Sequence, residues 1–134
     1  MAKGDLVPFF GAEWCELFRQ EGAKWPAIPG ATAVAEVTVR DNDDSTRVIT
    51  VHLVDGKVVS ASPGGDDEAQ IRMEFPTDGF AAYCAGDAEP LGRAALNGQV
   101  RSTGDFDTNV AIQPVFASPD FQAALEAVHA RTKY

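Results

Sequence analysis

The chain holds few of the residues that covalent or metal chemistry needs. Its 134 residues include two cysteines, Cys15 and Cys84, which are far apart and outside any C-x-x-C pair. That excludes a recognisable zinc site or disulfide framework and leaves two buried free thiols as the reading. There are two histidines, His52 and His129, with no G-x-S-x-G elbow and no H-E-x-x-H pair, so neither a serine hydrolase nor a metalloprotease is written here. Basic residues are scarce: 11 Lys+Arg stand against 20 Asp+Glu, a net charge of −9. Phosphate backbones and anionic lipid surfaces would repel such a chain, which excludes nucleic acid as a partner. No run of about 18 apolar residues is present to span a bilayer, so no stable membrane insertion is expected. The opening Met1-Ala2-Lys3-Gly4-Asp5 is too polar and acidic for a secretory signal. A cytoplasmic location is expected.

What the chain does hold is core material. Apolar residues make up 45% and charged residues 23%, enough for a packed interior at a length typical of one domain. No repeat, low-complexity tract or linker divides it, and residues 1–134 read as a single domain. Phe10, Trp14, Leu17 and Phe18 recur at helical spacing between Pro8 and Gly22. Prolines 26 and 29 then impose a loop. From Thr32 to Arg40 the period changes to two, with Ala33, Ala35, Val37 and Val39 on one face. A second strand through Val48–Val54, an Asp55-Gly56 hairpin turn, and a third strand from Lys57 to Ser62 follow. Ala69–Phe75 alternates again and completes an expected meander of four.

Helical signals dominate the rest. Thr77 is placed to cap a helix around Phe80, Tyr83 and Cys84, and Asp87 to cap another from Ala88 to Leu96. A fifth strand is expected over Gln99–Thr103. Asp105 then caps a segment with Phe106, Val110 and Ile112, and Ser118-Pro119 opens a last helix carrying Phe121, Leu125 and Val128. The pattern predicts an α+β architecture: a five-stranded, mostly antiparallel sheet with helices packed on one face.

Candidate chemistry is sparse. The runs Asp41-Asn42-Asp43-Asp44-Ser45 and Asp105-Phe106-Asp107-Thr108-Asn109 lack the glycine and terminal carboxylate of a calcium loop, so they read as turn and cap. No metal and no cofactor are expected. His52 reads as a polar-face residue of its strand and His129 as a cation offsetting a helix C-terminus.

The series Val51-His52-Leu53-Val54-Asp55-Gly56-Lys57-Val58-Val59, the Ile71/Met73/Phe75 strand, the Phe80–Gly86 helix and above all Ala94-Ala95-Leu96-Asn97-Gly98-Gln99-Val100-Arg101-Ser102-Thr103-Gly104-Asp105 resembles the sterol carrier protein family of non-specific lipid-transfer domains. The resemblance spans roughly residues 47–117. It implies an apolar cavity between sheet and helices that holds a sterol, a fatty acid or an acyl-CoA, without covalent catalysis. Carried onto this sequence, the implied lining comprises Met73, Phe80, Tyr83, Leu91, Phe106, Val110, Phe116, Phe121 and Leu125. The charge of −9 and Gln99, at a position where lysine is common in the family, set the chain apart from members that trade lipid with membranes. The resemblance thus implies a hydrophobic small-molecule ligand, held either by a module that serves a soluble enzyme pathway or by a membrane shuttle; an enzyme partner or a homodimer is the expected association. Two other readings stand beside it: a small hydrolase, isomerase or cyclase using Asp105, Asp107 or His52 as acid or base, and a purely structural domain whose aromatic stripes are solid core.

Overall fold

The structure is a computed structural model that describes residues 6–134; the opening Met1–Asp5, read above for a secretory signal, lies outside them. The chain begins with a two-residue strand β1 (Val7–Pro8) and helix α1 (Ala12–Gly22). Strands β2 (Ala33–Arg40), β3 (Thr46–Val54), β4 (Lys57–Pro63) and β5 (Ile71–Pro76) follow, then helices α2 (Thr77–Cys84) and α3 (Glu89–Leu96). Strand β6 (Arg101–Gly104), helices α4 (Phe106–Phe116) and α5 (Pro119–His129), and a second short strand β7 (Thr132–Lys133) complete it.

Five strands form one sheet in the order β4-β3-β2-β5-β6, with every neighbouring pair antiparallel except β2 and β5. The period-two pattern sets its faces. Ala35 lies opposite Val51 and Ile71, Val37 opposite Ile49 and Met73, and Val39 opposite Phe75, so three strands pool their apolar residues on one side. The helices cover that side.

The expected four-stranded meander is corrected at β5, which pairs in parallel with β2 instead of following β4 at the edge. Residues 64–70 carry the chain back across the polar face, and polar side chains hold them there. The Thr50 hydroxyl donates to the Gly64 carbonyl at 2.8 Å, the Asp66 amide donates to Glu36 Oε2 at 3.1 Å, and Gln70 exchanges hydrogen bonds with the Val34 backbone at 2.9 and 3.0 Å. Thr50 is thereby buried on the outer face. His52 shares this face, its Nε2 3.9 Å from Asp66 Oδ2.

Three expected boundaries move for local reasons. Helix α1 starts at Ala12, not Pro8, because Pro8 pairs with Lys133 and Phe10 takes a left-handed φ of 60°. Thr77 is the first helical residue of α2 and not its cap, which is Pro76; the buried Thr77 hydroxyl has no hydrogen-bond partner. The β6 strand begins at Arg101, two residues later than expected, since Gln99 still donates to Ala94 at the end of α3. Asp105 and Ser118 do cap α4 and α5, accepting from the amides of Thr108 and Asp120 at 2.9 and 3.1 Å. Asp87 accepts from the Glu89 amide at 3.2 Å, one residue ahead of the Ala88 cap.

Helix α1 lies on β4 through Gly22, where an added Cβ would run into the Val58 side chain. Alanine favours a helix over glycine by up to about 1 kcal/mol, whereas overpacking a full contact costs about 1–3 kcal/mol, so sterics decide the sign. Gly22→Ala is expected to lower unfolding stability by about 1 kcal/mol or more, read as a fall in the urea midpoint. An unchanged or raised midpoint would show that α1 can ride off the sheet freely.

Candidate functional site

Between the inner face of the sheet and the helices lies a cavity of about 300 Å³. Its floor is aliphatic: Ala35 and Val37 from β2, Ile49, Val51 and Leu53 from β3, and Met73 from β5. Its roof is mostly aromatic, with Trp14 and Phe18 from α1, Trp25 from the following loop, Phe80 and Tyr83 from α2, Phe116 from α4 and Phe121 from α5; Phe75 joins from β5. Leu91, Val115 and Leu125 close the remainder. No charged side chain among the described residues lines it.

The hollow exists because the roof is built of short pieces. Helices α2 and α3 have eight residues each, about 12 Å of length at 1.5 Å per residue. Neighbouring inner-face residues Ala35, Val39 and Ile71 are sealed at 2%, 0% and 0% exposure, yet Val37 and Met73 beside them remain only half-buried. Helix α3 buries Ala94 alone, and α4 buries only Ile112 and Val115. The roof rests on the sheet at its ends and leaves the middle open.

The roof rings brace one another. Phe18 meets Trp25 edge-on at 5.9 Å, Trp25 meets Phe121 at 5.7 Å, and Phe121 meets Phe116 at 5.2 Å. Phe75 and Phe80 stand 5.3 Å apart. The Trp14 indole donates to the Thr132 hydroxyl at 3.1 Å, which donates onward to the Val128 carbonyl at 2.7 Å, so that polar atom is satisfied away from the hollow. The Gln122 side chain donates to the Tyr83 carbonyl at 3.0 Å and ties α5 to α2. Burial, with the adjacent Cys84 second, raises the Tyr83 hydroxyl above its ordinary pKa, so it stays a neutral phenol at the wall.

Of the nine residues expected to line a ligand cavity, seven come together here: Met73, Phe80, Tyr83, Leu91, Phe116, Phe121 and Leu125. Phe106 and Val110 do not; they are 77% and 53% exposed on the outer side of α4. The stripe Phe106/Val110 was a plausible inward face by spacing, but Asp105 caps the helix in a phase that turns Ile112 and Val115 inward. Trp14 and Phe18 from the apolar helix stripe, Trp25 from the proline loop and Phe75 from the Ile71/Met73/Phe75 strand also line the hollow, though none is among the nine. The alternation in β2 was the available signal, since small Ala35 and Val37 leave room above them.

Asp105, Asp107 and His52 are absent from the cavity wall. Asp105 is occupied as a cap, accepting also from the Thr108 hydroxyl at 2.6 Å, and His52 is on the opposite face of the sheet. His129 Nδ1 lies 2.6 Å from the Tyr134 hydroxyl. No group of three or more His, Cys, Asp or Glu among the described residues could hold a metal ion.

A five-stranded sheet of this order, covered on one side by helices above an apolar hollow, is an α+β architecture that solved structures share. The chain has the sterol carrier protein 2 fold. A crystal structure of sterol carrier protein 2 matches it with a TM-score of 0.66 over 93% of this chain and 99% of that one, at 16% identity. The apo form of sterol carrier protein 2 from Yarrowia lipolytica matches with a TM-score of 0.58, covering 81% of this chain and 99% of that one at 18% identity. Palmitated sterol carrier protein 2-like 2 from Aedes aegypti matches at 0.52, covering 89% and 93% at 14% identity. No protein-family model and no curated relative matches the sequence. Among the described residues no helix is long and apolar enough to cross a membrane.

Burial pushes the Cys15 thiol up to about 11 and the Cys84 thiol up to about 12, which keeps both protonated and unreactive. Iodoacetamide at pH 8 is expected to leave the folded protein unmodified and to label both cysteines in urea, as counted by intact mass. Rapid labelling of Cys84 without denaturant would mean that α2 opens readily from the sheet.

Proposed function

We propose that the protein binds and carries a hydrophobic small molecule, of the sterol or fatty-acyl kind, in the cavity between sheet and helices. The observation that carries this reading is the hollow itself: about 300 Å³ with no charged side chain among the described residues on its wall. Functional ligand pockets begin at about that volume and are lined mainly by apolar side chains. The fold shared with sterol carrier protein 2, and the palmitated state of the mosquito protein, support a lipid occupant.

The energetics suit reversible carriage. Covering about 400 Å² of apolar ligand surface gives about 10 kcal/mol at about 25 cal/mol per Å². Association costs at least about 4 kcal/mol, which leaves a dissociation constant on the order of tens of micromolar. A carrier needs affinity of that order, since a ligand held far more tightly would not leave. The charge of −9 favours a carrier working in solution, in the cytoplasm, over one adsorbed to anionic membranes.

Native mass spectrometry of the purified protein, with extraction and mass analysis of what co-purifies, tests the reading alongside displacement of a fluorescent fatty acid. A bound or bindable lipid at one per chain is expected. Val37→Phe, which places a ring at the centre of the cavity floor, is expected to abolish displacement and leave the circular dichroism spectrum and melting temperature nearly unchanged. If neither assay detects a ligand, or if Val37→Phe binds as well as the unaltered chain, the carrier reading fails.

A further inference from the structure

We infer that the preferred occupant of the cavity is a small, neutral, planar ring system of two or three fused aromatic rings, in preference to a flexible acyl chain. The inference rests on the cavity being a site for a hydrophobic small molecule, as proposed above, and departs from a sterol or fatty-acyl guest in favour of a smaller planar one. Aromatic residues are 9% of the chain, yet they make up eight of the seventeen lining residues and include eight of the chain's twelve Phe, Trp and Tyr. The concentration is on one side. The sheet contributes a smooth aliphatic floor, while the helices and the loop after α1 contribute nearly all the rings.

The way those rings meet decides what they can grip. Phe18 and Trp25 are inclined at 78°, Trp25 and Phe121 at 63°, and Phe116 and Phe121 at 71°. Successive rings near perpendicular to one another present both faces, which are electron-rich, and edges, which are electron-poor, along one wall. A flat aromatic guest can lay one face on the aliphatic floor and meet the roof edge-to-face. A saturated guest has no quadrupole to answer those edges, and a flexible chain of equal carbon number loses torsional freedom that a fused ring never had. Met73 adds a polarisable sulfur on the floor side, a group that pairs favourably with aromatic rings.

Size and charge narrow the guest further. A dry apolar cavity of about 150 Å³ accepts one benzene, so about 300 Å³ corresponds to two or three fused rings, on the order of ten to fourteen carbons. No charged side chain stands on the wall to pair with an ionised group, so a carboxylate buried inside would go uncompensated.

Three neutral ten-carbon alcohols separate these effects on the unaltered protein: 2-naphthol, its saturated counterpart decahydro-2-naphthol, and decan-1-ol. Binding is measured by calorimetry for all three, and for 2-naphthol also by energy transfer from Trp14 and Trp25, which both line the cavity. The expected result is a dissociation constant for 2-naphthol about tenfold below that of either competitor, and a Phe121→Leu variant in which the 2-naphthol constant rises about fivefold while that for decahydro-2-naphthol stays put. If either saturated alcohol binds as tightly as 2-naphthol, the ring preference is overturned while the ligand site stands. If none of the three binds while the fluorescent fatty acid does, the ring preference alone is overturned; if the fatty acid fails as well, the cavity is not a ligand site and both readings fall.

Discussion

An apolar sheet face must be kept from water, and here the covering is done by five helices of 8 to 11 residues. A long helix laid across a sheet can seal it along its length. Short ones, each anchored by a few inward side chains and α3 by Ala94 alone, seal it only where they touch. Trp14 and Phe18 hold α1 at one side, Leu125 and Val128 hold α5, and Phe80 holds α2. The sheet between those anchors is left with Val37 and Met73 only half covered. Every functional property discussed for this chain descends from that incomplete closure.

The outer face solves the opposite problem. A parallel partner for β2 requires the chain to leave β4 and return on the other side of β2, and the return is made by only seven residues across the polar side of the sheet. Backbone groups crossing a sheet face lose water and need partners. Thr50, Glu36 and Gln70 supply them, and Glu36 in turn faces Arg72 at 3.7 Å. The polar side chains of these strands are therefore structural. Their alternation with Ala35, Val37 and Val51 means that one register fixes both the crossing on one face and the cavity floor on the other.

That coupling explains what could be read from the sequence. Alternation in β2 and β5, the Asp55-Gly56 turn and the Asp105 and Ser118 caps are local signals, and each lies where the residue pattern puts it. The parallel pairing of β5 is not local: Gly64-Gly65-Asp66-Asp67 reads as a hairpin turn, and only Thr50 and Glu36, distant in sequence, make it a crossing. Seven lining residues were legible because they are large, apolar and inward on their elements. Phe106 and Val110 were misplaced because apolar spacing fixes a stripe but not which of two stripes faces in; Ile112, Val115 and Phe116 form the competing one on the same helix. Phe18 and Trp25 could not be separated from solid core by any periodicity, since a cavity is a property of what the neighbouring elements fail to fill.

The hollow also carries a thermodynamic consequence. The apolar wall left uncovered is a cost in stability that a solid interior would not carry. The chain could shed much of it by small changes, such as a larger residue at Ala35 or Val37 or a rotamer shift of Phe116 toward the floor. It keeps Val37 at the centre of the floor and puts its bulk into rings that brace each other at 5.2 to 5.9 Å, holding the roof up as well as covering it. Rings packed edge-on resist collapse better than flexible aliphatic chains, because each is fixed by its neighbours and not only by the sheet below. An occupant that fills the space restores the missing contacts, and by mass action it stabilises the folded state in proportion to the logarithm of its concentration over its dissociation constant. Holding a guest and completing the core are thus the same physical event in this architecture.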